Sequence, residues 1–241
     1  MNGGYGAAVS ELPIVPPPEP PPRPEPEPPA PARHRFHQQL DNIDTKVRRL
    51  FALVSESVAA ATDALLAGDT EAARRLTDRD AVVDQLEVDL EQLAERELLM
   101  ESPMGGDMRY LVSVLRVVPE LERSGDLADH IAHRAATGLA LRLTPTVRGL
   151  VEQMGSTCSA MWRAAAEAWA ERDGAAAAEL DQVDDRLDDL HNRLCAELEV
   201  ADLSLPDVMQ TTLVARFYER LGDHAVHVAE RLRYLAPPPS S

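Results

Sequence analysis

The sequence has few aromatic residues and no excess of basic charge. Aromatic side chains make up 4% of its 241 residues, and hydrophobic residues make up 44%. The formal net charge is −17, with a pI of about 4.8. Because nucleic-acid affinity comes mainly from Lys and Arg on phosphates, this acidity disfavours a nucleic-acid partner, and it also disfavours anionic lipid surfaces. Most of the acids are expected to keep a helical surface soluble, and some can attract cations or a basic protein surface.

Cysteine and long apolar runs are also scarce. Cys158 and Cys195 are too few for a disulfide framework or a cysteine-based zinc site. Both lie within helical patterns, which predicts buried free thiols in a reducing cytosol. No apolar run approaches the ~18 residues of a membrane span, and no secretory signal is visible. We therefore expect a soluble, cytoplasmic protein that is peripheral to the membrane only through its partners.

Several motifs of known enzyme classes are absent. The chain has no G-x-S-x-G nucleophile elbow, no Walker phosphate loop and no dinucleotide-binding fingerprint. No segment alternates apolar and polar residues with period two, so no strand is predicted. These absences favour an all-α protein without a nucleophile and its base.

Apolar residues recur every three or four positions in six segments, as in amphipathic helices. The first three predicted helices run from Phe36 to Leu65 before a break at Gly68-Asp69, from about Thr70 to Leu99, and from about Asp107 to Thr137 with a kink at Pro119. The fourth predicted helix begins at Pro145. The fifth carries the apolar stripe from Leu180 to Leu198, and the sixth carries the stripe from Val208 to Leu232. The proline-rich ends are predicted to be disordered.

The two halves of this chain nearly repeat each other. Residues 122–126 and 219–223 both read Glu-Arg-x-Gly-Asp, 97 positions apart, and two Asp-x-x-x-Asp pairs stand 104 positions apart. We predict an elongated all-α protein of two tandem, sequence-related three-helix bundles with six long helices. The predicted boundaries are a disordered tail over 1–34, a first bundle over 35–138, a second bundle over 139–236 and a disordered tail over 237–241.

The acids of each pair stand four residues apart, which places them on one helix face with Cβ atoms about 5–6 Å apart. If the middle and last helices of each half pack antiparallel, four carboxylates converge there. The candidate metal ligands are Asp80, Asp84, Glu122 and Asp126 in the first half, and Asp184, Asp188, Glu219 and Asp223 in the second. Such oxygen ligands suit Mg, Mn, Ca or iron. The alternative is that Arg123 and Arg220 neutralise the acids in surface ion pairs worth at most about 1 kcal/mol each.

Two histidines and two glycines accompany the repeated motif. His130 and His227 each follow the motif Asp by four residues and are possible additional ligands, or else solvated or hydrogen-bonded side chains. Gly125 and Gly222 each cost about 1 kcal/mol inside a helix. Close approach of a neighbouring helix or of a metal-bound oxygen would offset that cost.

The motifs resemble those of the PhoU family, the accessory proteins of phosphate-specific transport. The resemblance covers about residues 36 to 235 and is carried by three segments. They are Leu121-Glu122-Arg123-Ser124-Gly125-Asp126-Leu127-Ala128, Tyr218-Glu219-Arg220-Leu221-Gly222-Asp223-His224-Ala225, and Ser102-Pro103-Met104-Gly105-Gly106-Asp107-Met108-Arg109, which looks like the family's Pro-x-x-x-Asp-Leu-Arg turn.

The resemblance implies two similar three-helix bundles, commonly assembled as a homodimer. It also implies metal clusters or single ions held by the eight acids, with iron, zinc, manganese or magnesium as the candidate metals. Two features depart from the family pattern. His130 and His227 stand where the family usually has Asn, and Pro206-Asp207-Val208-Met209 only loosely replaces the Asp-Leu-Arg turn.

The function implied by the resemblance is regulation of phosphate uptake and of the phosphate-starvation response. Family members restrain the phosphate ABC transporter, through its ATPase, and a phosphate-sensing histidine kinase when phosphate is plentiful. We therefore expect a metal-binding helical scaffold and not an enzyme. A metal-dependent enzyme using the carboxylate site, which needs an open coordination position and a pocket, is one alternative. A metal-free helical adaptor is the other.

Overall fold

The computed structural model describes residues 30–77 and 80–235, and these residues are mainly helical. Seven α-helices are found there: α1 (Ala30–Ala67), α2 (Thr70–Thr77), α3 (Asp80–Glu101), α4 (Gly106–Ala136), α5 (Pro145–Glu171), α6 (Ala176–Val200) and α7 (Leu205–Leu235). A 3₁₀ turn, Leu139–Arg142, joins α4 to α5. No strand occurs in this part of the chain, so the predicted all-α fold of two related three-helix units is confirmed.

The helix boundaries differ from the predicted ones at one place. The second predicted helix is described here in two parts, α2 and α3, because positions 78–79 between them lie outside the described residues. The helix predicted from Phe36 begins at Ala30, so residues 30–34 of the predicted 1–34 tail are helical. The rest of that tail and the predicted tail over 237–241 lie outside the described residues.

Local capping explains where the helices stop and restart. Gly68 has a φ of +67°, a conformation that glycine adopts without strain, and it ends α1. The carboxylate of Asp69 then accepts hydrogen bonds from the backbone N–H groups of Glu71 and Ala72, at 3.2 and 2.9 Å. Thr144 caps α5 in the same way, with Pro145 in the first turn. The breaks predicted at Gly68-Asp69 and before Pro145 are therefore confirmed.

The two bundles pack side by side around one continuous core. α1, α3 and α4 form the first bundle, and α5, α6 and α7 form the second, while α1 contacts α5 and α4 contacts α7. The largest fully buried side chains are Trp162, Trp169, Tyr218 and Phe51. Full burial of one large apolar side chain contributes about 1.5–3 kcal/mol. This shared core holds α4 and α7, the two helices with the repeated motif, against each other.

Hydrogen bonds tie α5 and α1 to the motif region of α7. The Trp162 indole donates to the backbone carbonyl of Leu221 at 3.1 Å, and the Cys158 thiol donates to that of Tyr218 at 3.0 Å. The Tyr218 hydroxyl lies 2.9 Å from Thr62 Oγ1 of α1. Cys158 is buried, as predicted. Cys195 was also predicted to be buried, but on α6 it is only partly buried.

A second connection between the bundles is built around Arg172. This guanidinium bonds Asp44 of α1 at 2.7 Å and lies 4.5 Å from the ring centroid of Tyr110 in α4. It also lies 5.4 Å from the ring of Trp169. Because the three partners belong to α1, α4 and α5, Arg172 fixes the ends of these helices relative to one another.

Helix α1 has the composition of a membrane span but the burial of a core helix. By length and composition alone, its stretch Arg33–Ala67 could cross a membrane. Half of the most apolar window is buried inside the fold, where Val47, Val54 and Val58 are fully enclosed. No other helix among the described residues has such a composition.

Candidate functional site

The acids of the first half gather where α3 faces α4. Asp84 is exposed on α3, and Glu122 and Asp126 are partly buried on α4. Burial raises the pKa of Glu122 to about 7, and the negative charges of Asp126, Glu87 and Asp84 add to that rise. These four carboxylates form what we call the first carboxylate cluster. Asp80 begins α3, but its side chain lies outside the described residues.

Glu87 is a member of this cluster that the sequence analysis missed. It stands three residues after Asp84 on the same helix face. Burial raises its pKa, and the charges of Glu91, Asp84 and Asp126 add to the rise, while Arg123 lowers it. The i+3 spacing from Asp84 is the signal that could have identified it.

The second carboxylate cluster consists of Asp184 and Asp188 on α6 with Glu219 and Asp223 on α7. Burial raises the pKa of Asp184 to about 7, and the charges of Asp223, Asp188 and Glu219 contribute. The Oδ1 atom of Asp184 is buried and has no hydrogen-bond donor in the described part of the chain. A buried carboxylate oxygen without a donor is costly, and a proton or a cation would relieve that cost.

The motif glycines bring the helices of each bundle close together. A Cβ atom at Gly222 would overlap Asp184 Oδ1 and would lie 2.6 Å from Leu187 Cδ2. At Gly125 the nearest atom would be Val83 Cγ1, at 3.3 Å. The close approach of a neighbouring helix that was expected for these glycines is therefore found at both positions. Gly125 permits helix packing, whereas Gly222 permits a carboxylate oxygen to approach the backbone of α7.

The alternative to metal binding, in which Arg123 and Arg220 neutralise the motif acids in ion pairs, is not seen among the described side chains. Arg123 bonds Glu120 at 3.2 Å, on the preceding turn of α4. In the second half, the guanidinium that bonds Glu219 belongs to Arg216, and Arg220 is exposed. Arg123 still lowers the pKa of Glu122 by its charge, but burial and three carboxylates outweigh that effect.

The histidines of the motifs lie mainly at the interface between the bundles. The His130 ring stacks on Phe217 of α7 with the ring centroids 5.3 Å apart. His224 is buried, and its Nδ1 lies 3.0 Å from Ser124 Oγ of α4. Burial lowers the pKa of His224, and the charge of Glu120 acts against that shift. His227 is exposed. These two contacts show that α4 and α7 are antiparallel. His130, the later of the two α4 residues, contacts Phe217, whereas the earlier Ser124 contacts His224, which follows Phe217 in α7.

The donor chemistry of both clusters fits a divalent cation. The orphaned oxygen of Asp184 and the raised pKa values of Glu122 and Asp184 mean that local protein groups offset the negative charge of the clusters only in part. Among residues 33–76 and 81–235, whose side chains the structure describes, no three or more His, Cys, Asp or Glu side chains stand close enough to hold a metal ion. Binding by the described side chains would therefore require some of them to rotate towards one another.

A cavity of the first bundle lies beside the first carboxylate cluster rather than within it. It has a volume of about 280 Å³ and is bounded by residues of α1, α2, α3 and α4, including Leu53, Leu76 and Gly125. None of Asp84, Glu87, Glu122 and Asp126 lines it. A molecule in this cavity would therefore not contact the carboxylates of the first cluster.

Comparisons with known proteins agree with this architecture. The PhoU domain model matches residues 47–135 and 151–232. The chain is 30% identical over 207 residues to the phosphate-specific transport system accessory protein PhoU homolog 2 of Mycobacterium bovis, covering 85% of this chain and 97% of the relative.

Two crystal structures share the fold along almost their whole length. PhoU from Pseudomonas aeruginosa aligns with a TM-score of 0.78 and 28% identity, over 83% of this chain and 98% of that chain. The phosphate transport system regulatory protein PhoU from Streptococcus pneumoniae aligns with a TM-score of 0.74 and 25% identity, over 83% and 96%. The paired PhoU domains and these relatives establish that the chain belongs to the PhoU family.

Proposed function

We propose that this protein is a cytoplasmic regulator of phosphate uptake and of the phosphate-starvation response. It restrains a phosphate ABC transporter and a phosphate-sensing histidine kinase when phosphate is plentiful. The relatives named as phosphate-specific transport system accessory proteins support this role, because the match to one of them covers 97% of that relative's length. The observation that carries the proposal is the pair of matched carboxylate clusters on one helical scaffold of that family.

Metal ions are part of the proposed role. Asp80, Asp84, Glu122 and Asp126 would hold one ion or cluster, and Asp184, Asp188, Glu219 and Asp223 would hold the other. A bound divalent or trivalent ion of iron, zinc, manganese or magnesium supplies positive charge that offsets the carboxylate repulsion. It would thereby join α3 to α4 and α6 to α7. His130 remains a weaker candidate ligand than the acids because its ring packs on Phe217.

The proposed partners are the transporter ATPase, the histidine kinase and a second copy of this chain in a homodimer. The protein would reach the membrane only through the first two. Nucleic acid is not a proposed partner, because the net charge of −17 would repel phosphates.

Two other functions compete with this proposal. A metal-dependent enzyme would need a substrate pocket lined by its metal ligands. The 280 Å³ cavity beside the first cluster is not lined by Glu122 or Asp126, which favours a non-catalytic role. A metal-free helical adaptor would keep its fold and its regulation in the presence of a strong chelator.

Replacing Glu122 and Asp126 with Ala is expected to remove the metal held by the first cluster, because both α4 ligands are lost. We would measure bound metal by elemental mass spectrometry on purified protein. The matched control is Glu167→Ala with Glu171→Ala, an exposed acid pair with the same spacing on α5. Equal metal content in the two double variants would contradict the site assignment.

A further inference from the structure

The outer faces of α4 and α7 carry matching rows of exposed side chains. The corresponding exposed residues, 97 positions apart, are Met108 and Leu205, Arg123 and Arg220, and His130 and His227. Within each helix they stand 15 and then 7 positions apart. These spacings are close to four and two whole turns, so each row lies along one side of its helix. The internal repeat therefore duplicates an exposed surface as well as the carboxylate motif.

The two rows lie side by side. The His130 ring stacks on Phe217 of α7 with the centroids 5.3 Å apart, and the guanidinium of Arg134 lies 4.7 Å from the centroid of the same ring. Phe217 is only partly buried, and it directly follows the exposed Arg216 in α7. The exposed row of α4 therefore meets that of α7 at Phe217. We call the surface formed by both rows the α4–α7 strip.

The strip carries positive charge that nearby acids offset only in part. Its exposed arginines are Arg116, Arg123, Arg216 and Arg220. Arg123 pairs with Glu120 and Arg216 with Glu219, and the side chains of these acids are only 23% and 15% exposed. Arg116 and Arg220 have no ion pair in the described part of the chain. The carboxylate clusters lie to either side, where α4 faces α3 and α7 faces α6. The strip is thus a basic surface on a protein with a net charge of −17.

Exposed apolar side chains mark both ends of the strip. Met104 and Met108 are 85% and 50% exposed where α4 begins, and Leu205 and Met209 are 71% and 58% exposed where α7 begins. Because α4 and α7 are antiparallel, the two apolar patches lie at opposite ends, with the arginines between them. Exposed apolar patches rimmed by polar residues are typical of protein–protein contacts, and methionine adapts to partners of different shape.

We propose that the α4–α7 strip binds an acidic segment of a partner protein, with carboxylates on its arginines and apolar side chains on its Met and Leu ends. Arginine suits this role because its guanidinium bonds a carboxylate through two parallel N–H groups. The inference rests on the proposed function, in which the protein acts through protein partners. It adds the surface that is used and the chemistry of the segment that is bound.

The distribution of charge selects a narrow partner. A membrane or a nucleic acid presents an extended anionic surface, which would face the acidic remainder of a chain with a net charge of −17 as well as the strip. A segment about one helix wide would face the strip alone. A second copy docked strip to strip would set arginine against arginine, and like charges across an interface oppose binding.

The probe for this inference is a synthetic helical peptide with glutamates along its middle and leucines near both ends. We would titrate it with the full-length protein and follow fluorescence anisotropy. Arg123→Glu with Arg220→Glu should weaken binding at least about 10-fold, because like charges then face each other across the contact. Raising the salt from about 0.1 M to about 1 M should also weaken wild-type binding, because the Debye length falls from about 10 Å to about 3 Å.

Two further variants separate the contribution of charge from that of apolar contact. The matched control is Arg186→Glu with Arg193→Glu, which makes the same change in net charge at two exposed arginines of α6 and should leave the peptide affinity unchanged. Met108→Ser with Met209→Ser removes one apolar side chain from each end of the strip. It should weaken binding at both salt concentrations, because salt does not screen apolar contacts.

A peptide that does not bind the wild type, or that binds both arginine double variants equally well, would overturn the inference. So would tighter binding to vesicles containing phosphatidylglycerol than to the peptide, which would assign the strip to a membrane. Strip-dependent dimers of the protein in sedimentation would assign it to a second copy and overturn the inference as well. The purified transporter ATPase and histidine kinase test the proposed function separately. If the peptide binds through the strip but neither of these proteins does, the inference stands and the proposed partners are wrong.

Discussion

Alanine in place of Gly222 is expected to lower the free energy of unfolding, because overpacking a core usually costs about 1–3 kcal/mol. The new Cβ would lie 2.6 Å from Leu187 Cδ2, which belongs to a fully buried side chain, and would overlap Asp184 Oδ1. Alanine also brings a gain of about 1 kcal/mol to a helix, so the expected net loss is up to about 2 kcal/mol. Chemical denaturation of metal-free protein measures it, and metal content should fall too because Asp184 is displaced.

Gly149→Ala is the control for this substitution. Gly149 lies inside α5, and a Cβ atom there would meet nothing within 4 Å. We expect a gain of about 0.5–1 kcal/mol from helix propensity alone. Similar stabilities for the Gly149 and Gly222 variants would mean that the close approach of α6 to α7 is wrong.

The metal-free protein is expected to lose stability as the pH rises from 5 to 8. The folded-state pKa values of Glu122 and Asp184 are both raised to about 7, above the ordinary values of 4.5 and 3.8. An acid whose pKa is raised by folding binds more protons in the folded state than in the unfolded state. Its destabilising effect is therefore absent at pH values below the unfolded-state pKa and complete at pH values above the folded-state pKa. After a discount for solvent screening, we expect a loss of about 1–3 kcal/mol in total.

Asp184→Asn tests this assignment, because the amide keeps the shape of the carboxylate and removes its charge. The variant should be more stable than the wild type at pH 8 and nearly equal to it at pH 4. The control is Asp189→Asn, an exposed acid of α6 that does not contribute to the shift of Asp184. A stability curve for Asp184→Asn that falls as steeply as the wild-type curve would refute the prediction.

The sequence pattern predicted the helices well because their signals are local. The apolar stripe of α1 and the breaks at Gly68 and Pro145 depend only on residues within a few positions of one another. The repeat of residues 122–126 at 219–223 also predicted three helices per half.

Contacts between distant residues could not be predicted in the same way. The bond from Arg172 to Asp44 joins residues 128 positions apart, and neither side chain belongs to a motif. His130 was proposed as a ligand from its spacing after Asp126, but its stacking on Phe217 depends on how α4 and α7 pack. Glu87 was predictable from helical spacing, because it follows Asp84 by three residues.

The most direct test of the proposed function is alkaline phosphatase activity in phosphate-rich cells that lack this gene and any second copy of it. A regulator that restrains the starvation response predicts high activity after deletion. It also predicts low activity once the intact gene is restored. Activity that stays low in the deletion strain would contradict the proposed role in phosphate regulation.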